Sequence, residues 1–126
     1  MKLNEVINFP SFYELVKSHK IPFKLAYRLS LLNQKVEHSI QFYQTEIEKI
    51  ISQYAMRGDD GNYILTEDGN GIKIRPEARE ECDVKLFELQ NTEVEDYGIT
   101  FTFEDFENFD VTPEEIAPIL PFVKLD

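Results

Sequence analysis

The sequence predicts an α+β fold that is mainly α: a long antiparallel helical hairpin with a β-hairpin at its tip, plus a short C-terminal strand and helix. Three observations predict it. Residues 22–57 contain no glycine and only one proline, and their apolar positions recur at a helical period. Two glycine-containing turns then border short apolar runs, as in a hairpin, and alternating apolar residues follow later in the chain. With 126 residues, 42% of them apolar, the chain is expected to form a single domain over 1–126.

The N-terminal region, 1–21, is predicted to hold one short helix at about 11–19. Ser11 and Glu14 have the spacing of a capping box, in which each residue satisfies a free N–H of the other. Pro22 interrupts this helix. It also suits the first turn of a following helix, because the N–H that proline lacks would have no partner there.

The long helix is predicted over 22–57. Nine apolar residues from Leu25 to Tyr54 recur in eight steps across 29 residues. The resulting period of about 3.6 is that of a straight amphipathic helix, whereas a coiled-coil seam would keep to about 3.5. Gly58 and the polar residues after it are expected to end the helix.

A β-hairpin is predicted over 63–74, followed by a return helix over 76–91. Asp-Gly and Asn-Gly pairs between short apolar runs favour a tight turn, since both accept a positive φ. Pro76 fits the start of the return helix, and Cys82 and Leu89 lie on its apolar face. This face can pack against the long helix as the second arm of a helical hairpin.

The remaining region, 92–126, is acidic and aromatic. Between Tyr97 and Phe103, apolar residues alternate with Gly and Thr, which predicts a short strand. Thr112 and Pro113 are typical of a helix start, with the threonine as cap and the proline at the first position.

The charge is strongly negative and uneven. Asp and Glu number 24 against 13 Lys and Arg, a net charge of −11, and residues 86–126 hold only Lys124 against eleven acids. This balance argues against binding to nucleic-acid backbones, which needs a basic face. No apolar run approaches the ~20 residues of a membrane span, and the first residues lack the apolar core of a signal peptide. We therefore expect no direct nucleic-acid partner, no membrane association and a location inside the cell.

No pattern of residues indicates catalysis, a metal or a cofactor. His19 and His38 have no Cys, His or acid at a convincing ligand spacing. Cys82 has Ala78 and Leu86 as helical neighbours, which is typical of a buried thiol, and a single cysteine excludes an internal disulfide. The acidic turns lack the spacing of a calcium loop, and no phosphate loop or hydrolase motif occurs. The sequence predicts a protein that is not an enzyme, with no catalytic residue, metal ligand or cofactor.

The candidate functional residues lie in the acidic aromatic region. Aromatic side chains flanked by acids, as between Phe101 and Asp110, can anchor in pockets of a partner while the charges steer the encounter. The alternative is that these phenylalanines close the core, with the acids either solvated or covering the basic N-terminal helices. The predicted partner-binding residues are Glu93, Glu95, Asp96, Phe103, Glu104, Asp105, Phe106, Glu107, Phe109, Asp110 and Phe122.

The order of elements carries a resemblance. A long helix is followed by Gly-Asp-Asp-Gly-Asn at 58–62, Glu-Asp-Gly-Asn-Gly-Ile-Lys-Ile at 67–74, a helix ending in 86–94, and an acidic Phe-rich region leading to Val-Thr-Pro-Glu-Glu-Ile at 111–116. In this order, over about 22–123, the chain resembles a group of small, largely uncharacterised bacteriophage-encoded proteins with a helical hairpin tipped by a β-hairpin. The resemblance implies a phage or prophage origin, the bacterial host cytoplasm and an accessory or interaction role. It carries over no catalytic residue.

Three functions follow as hypotheses. The first is a non-catalytic phage accessory protein that binds a host or phage protein. The second is an acidic, DNA-mimicking inhibitor of a host defence nuclease, of the anti-CRISPR or anti-restriction type, whose carboxylates occupy a basic nucleic-acid-binding groove. The third is a virion or assembly component, which would form homo-oligomers or enter particles.

Overall fold

The structure, a computed structural model, describes residues 1–124 and is mainly helical, with 59% of the residues in helices and 8% in strands or bridges. The α-helices are α1 (Leu3–Val6), α2 (Phe9–Val16), α3 (Phe23–Tyr54), α4 (Arg79–Gln90) and α5 (Pro113–Ile116). Short 3₁₀ helices cover Pro76–Ala78, Phe103–Phe106 and Ala117–Phe122. No β-sheet forms among the described residues, so the predicted β-hairpin and C-terminal strand are wrong.

The N-terminal helices differ from the prediction in their limits. α1 is a turn of helix that the sequence did not predict, and α2 begins at Phe9 rather than near Ser11. Pro10 is tolerated in the first turn of α2, and the Phe9 side chain is fully buried, which favours an early start. The predicted capping box is absent from α2: the Ser11 hydroxyl donates to the carbonyl oxygen of Asn8 at 2.8 Å.

The long helix is present as α3, ending at Tyr54 rather than at 57. It stops because the backbone after Tyr54 turns to bond with the following loop, where the Met56 N–H donates to the carbonyl of Lys73 at 2.8 Å. The predicted apolar stripe is buried along the first part of the helix. Its buried members there are Leu25, Leu29, Leu32 and Val36.

The predicted β-hairpin is replaced by three isolated antiparallel bridges, Ala55–Ile74, Arg57–Tyr63 and Leu65–Ile72. Three short segments are joined pairwise by backbone hydrogen bonds, two between each pair. Three of these bonds form a closed ring: Met56 N–H to Lys73, Lys73 N–H to Ile64, and Ile64 N–H to Met56, at 2.8, 2.8 and 3.0 Å. Because the pairing is shared among three segments, no two of them pair long enough to form strands. Of the two predicted turn pairs, Asp68-Gly69 has the positive φ, 74° at Gly69, whereas Gly71 of the Asn-Gly pair does not.

The predicted strand near Tyr97–Phe103 is reduced to one parallel bridge between Phe101 and Val123. Gly98, with a φ of 72°, bends the chain before it. Thr102 then caps a 3₁₀ helix that begins at Phe103, so the backbone leaves the extended conformation at once. The helix expected after Thr112 is present as α5, with the predicted cap and proline.

The chain divides into two compact units, one formed by Met1–Gln41 with the chain from Thr92 onward, the other by Phe42–Asn91. In the first unit, phenylalanines of α2 and of the C-terminal region fill the core between the helices. The buried members are Val6, Phe9, Phe12, Val16, Leu25, Leu29, Leu32, Val36, Phe101, Phe106, Ile119 and Phe122.

The second unit has a smaller apolar cluster. Tyr54, Ala78 and Cys82 are buried in it, and Ile50 and Leu86 are among the partly buried residues packed around them. The end of α3 and helix α4 therefore share one core, as expected of a return helix. The expectation of one domain over the whole chain stays a prediction.

Candidate protein-interaction surface

The candidate surface is the stretch 93–115, called here the acidic segment. It contains nine Asp and Glu residues and no Lys or Arg. In the structure it belongs to the first unit. Its phenylalanines and its carboxylates take different positions, and this separation decides which residues a partner could reach.

Buried aromatic side chains attach the acidic segment to the core. Phe101 and Phe106 are 1% and 8% exposed, with ring centroids 5.5 Å apart. Phe106 also meets Phe12 of α2 edge to face, at 5.5 Å and an interplanar angle of 89°. Edge-to-face pairs of this kind add specific geometry to the burial of apolar area. The segment is thus held on a defined scaffold.

Arg28 of α3 adds polar contacts to this attachment. Its guanidinium donates to the carbonyl oxygen of Thr100, lies 3.5 Å from a carboxylate oxygen of Asp105, and sits 4.7 Å above the Phe101 ring. Closer to the start of the segment, the backbone carbonyl of Tyr97 accepts from the Lys35 ammonium at 3.2 Å. These contacts fix the backbone on either side of Gly98.

Three of the carboxylates hold turns in place. Asp96 accepts from the N–H of Gly98 at 2.8 Å, and Asp105 accepts from the N–H of Thr102 at 2.8 Å. Glu115 accepts from the backbone N–H of Thr112 at 3.0 Å, in the capping box at the start of α5. This bond, together with the Thr112 hydroxyl, lowers the pKa of Glu115 below its ordinary value. The acids therefore define the local backbone as well as the surface charge.

The aromatic residues predicted to bind a partner fall into three groups. Phe106 and Phe122 are core residues, 8% and 3% exposed, so they offer almost no surface to a partner. Phe109 is half-buried, with its ring 5.8 Å from that of His19. Phe103 is 54% exposed and is the accessible aromatic of this set. Two of the four phenylalanines are therefore core residues, and Phe109 packs against the same core.

The acidic residues predicted to bind a partner are mostly available. Glu93 forms an ion pair with the Met1 amino group at 3.1 Å, and Asp105 forms the ion pair with Arg28. Within residues 1–124, the other acids of the segment have no ion pair, and all but the half-buried Glu115 are exposed. These unpaired acids are Glu95, Asp96, Glu104, Glu107, Asp110, Glu114 and Glu115. The segment thus packs on the N-terminal helices through its apolar side chains and keeps most of its charge on the surface.

A group of basic side chains lies beside this surface and was not predicted from the sequence. A cleft of about 400 Å³ is lined by the cations Lys20, Lys24 and Arg28 and by the acids Glu104 and Asp105. The signal was the run of cations Lys20, Lys24 and Arg28, of which Lys24 and Arg28 lie on one side of α3 and Lys20 lies just before it. Cations near Glu104 limit how far the negative surface extends in this direction.

The structure brings together no metal-binding cluster of His, Cys, Asp or Glu within residues 1–124. None of the helices in that range combines the length and apolar character needed to cross a bilayer. No family model, curated protein or solved structure matches this chain.

Proposed function

We propose that this protein is a non-catalytic phage accessory protein that acts by binding another protein, and that the acidic segment contacts a basic surface of that partner. The observation that carries the proposal is the set of seven carboxylates in 93–115 that have no ion pair within the described residues. Their mutual repulsion is an electrostatic cost that no ion pair among the described residues offsets. A partner rich in Lys and Arg would relieve it.

The arrangement supports specific recognition better than a diffuse charge would. Glu104, Glu107 and Asp110 follow one another on a short, capped part of the backbone, and Phe103 beside them is exposed. An accessible aromatic next to steering charges is a common anchor in protein interfaces. We infer that Phe103 enters the partner while the carboxylates contact its cations.

A DNA-mimicking inhibitor is a second candidate, because unpaired carboxylates on a fixed scaffold can occupy a groove that ordinarily holds phosphates. In this version the partner is a nucleic-acid-binding protein, such as a defence nuclease. The acidic segment would then compete directly with DNA for the same groove.

The test is affinity capture of the partner from a bacterial lysate, followed by measured binding to the purified partner. The surface variant replaces Glu104→Gln, Glu107→Gln and Asp110→Asn together. The matched control replaces three exposed acids outside the segment, Glu48→Gln, Asp59→Asn and Glu67→Gln, which changes the net charge equally.

Binding to the partner should weaken steeply as the salt concentration rises. The surface variant should bind at least about tenfold more weakly than wild type, and the control variant should bind as wild type does. Equal binding by the two triple variants would refute the role of the acidic segment. Displacement of bound DNA from the partner by this protein would favour the mimic, and simultaneous binding of DNA and protein would exclude it.

A further inference from the structure

The cleft of about 400 Å³ beside the acidic segment has two walls, both in the first unit. One wall is formed by residues of 19–28, at and just before the start of α3, and the other by residues of 104–109. Two contacts join the walls. The guanidinium of Arg28 lies 3.5 Å from a carboxylate oxygen of Asp105, and the ring of His19 lies 5.8 Å from that of Phe109. The cleft is therefore a space between two segments that are attached to each other.

The cleft holds unpaired charges of both signs. Lys20 and Lys24 on one wall and Glu104 on the other have no ion pair within residues 1–124. Arg28 and Asp105 pair with each other, so their charges largely cancel. Two ammonium groups and one carboxylate, not bonded to one another, are what the cleft offers to a charged ligand.

The lining also includes apolar side chains. Leu25 is 5% exposed, and Ile21 and Phe109 are half-buried and pack against the core of the first unit. An apolar group in the cleft would cover the parts of these side chains that still face water. The volume lies within the roughly 300–1,000 Å³ that is typical of small-molecule sites.

We propose that this cleft binds a free amino acid with an apolar side chain. Its α-carboxylate contacts the ammonium groups of Lys20 and Lys24, and its α-ammonium donates to the carboxylate of Glu104. Its side chain packs against Leu25 and Phe109.

A ligand with both charges suits this lining better than a ligand with one. A simple anion would be repelled by Glu104, and a simple cation would be repelled by Lys20 and Lys24. Glu104 also belongs to the acidic segment, but the two lysines have no part in the function proposed above. The assay contains this chain alone, so its result is separate from any result with a protein partner.

The probes are leucine and phenylalanine, and two analogues of leucine serve as charge controls. N-acetylleucine lacks the cationic ammonium, and leucinamide lacks the carboxylate. Binding is followed by amide chemical shifts of the ¹⁵N-labelled full chain. The cleft variants are Lys24→Met and Glu104→Gln. The matched controls are Lys85→Met and Glu67→Gln, which make the same charge changes at exposed positions of the second unit.

The inference expects saturable shifts that map to 19–28 and 104–109, with a dissociation constant of about 1 mM or below for leucine or phenylalanine. Both analogues, and both cleft variants, should bind at least about tenfold more weakly, while the control variants should bind as wild type does. N-acetylleucine binding as tightly as leucine would show a site for anions and overturn the inference, and equal binding of leucinamide would do the same for cations. So would the absence of saturable shifts at millimolar concentration, or undiminished binding by the two cleft variants.

Discussion

Replacing two phenylalanines of the acidic segment, one at a time, tests whether the structure divides core from surface correctly. Phe106 is 8% exposed and its ring meets those of Phe12 and Phe101 at 5.5 Å each, while Phe103, three residues earlier, is 54% exposed. Phe106→Ala removes a buried ring and leaves a cavity, which costs about 3–5 kcal/mol of the free energy of unfolding. Phe103→Ala should cost at most about 0.5 kcal/mol, as exposed substitutions do.

The assay is urea unfolding followed by far-ultraviolet circular dichroism. With a slope of about 2 kcal/mol per molar urea, the midpoint should fall by about 2 M in Phe106→Ala and by less than about 0.3 M in Phe103→Ala. If Phe106→Ala does not fold, Phe106→Leu gives a smaller loss that can still be measured. Equal losses at the two positions, or a larger loss at Phe103, would refute the division on which the proposed interface depends.

Three further predictions concern single residues. Arg28→Met should lower the free energy of unfolding by about 2 kcal/mol, because a charge-assisted hydrogen bond and the contact with Phe101 are lost; a urea midpoint equal to wild type would contradict this. Glu115 has a lowered pKa in the folded state. The stability that it contributes is therefore fully present above about pH 4.3, the pKa of an unperturbed Glu, and is lost as the pH falls through the lower pKa of the folded state. Glu115→Gln should therefore flatten the acid side of the stability–pH curve, and an unchanged curve would show that its bond to Thr112 is absent in solution. Burial raises the pKa of Cys82, which is 1% exposed, so its thiol should react with a disulfide reagent only at the rate of unfolding; rapid reaction in the native state would place it at the surface.

The parts of the fold that were predicted correctly depend on local rules. The period of α3 needs only the order of apolar residues, and the cap at Thr112 needs only its own neighbours. The predicted strand near Phe101 is wrong because the Thr102–Asp105 capping box starts a 3₁₀ helix there, which the alternation of apolar residues does not reveal. A strand would have placed Phe101 and Phe103 on the same side, whereas the 3₁₀ turn buries the first and exposes the second.

The errors at the predicted hairpin and at the candidate surface have a different cause. The segment after Tyr54 pairs with both arms of the loop, and no local pattern shows that a helix end will supply a third partner. Likewise, Lys20 and Glu104 are far apart in sequence, so their common cleft appears only in three dimensions. Phe122 is buried in part by Phe9, whose ring centroid lies 5.6 Å from that of Phe122. These two residues are also far apart in the sequence, so no local pattern predicts their contact.

The closed ring of backbone hydrogen bonds among Met56, Ile64 and Lys73 has a consequence for local opening. Each segment is bonded to the other two, so releasing one breaks its bonds to both and leaves only the bonds between those two. The amides of the three segments should therefore exchange with deuterium at a common rate, as one cooperative unit. A protease would cut the backbone at Met56, Ile64 or Lys73 only after the ring has opened, although most side chains of this stretch face water.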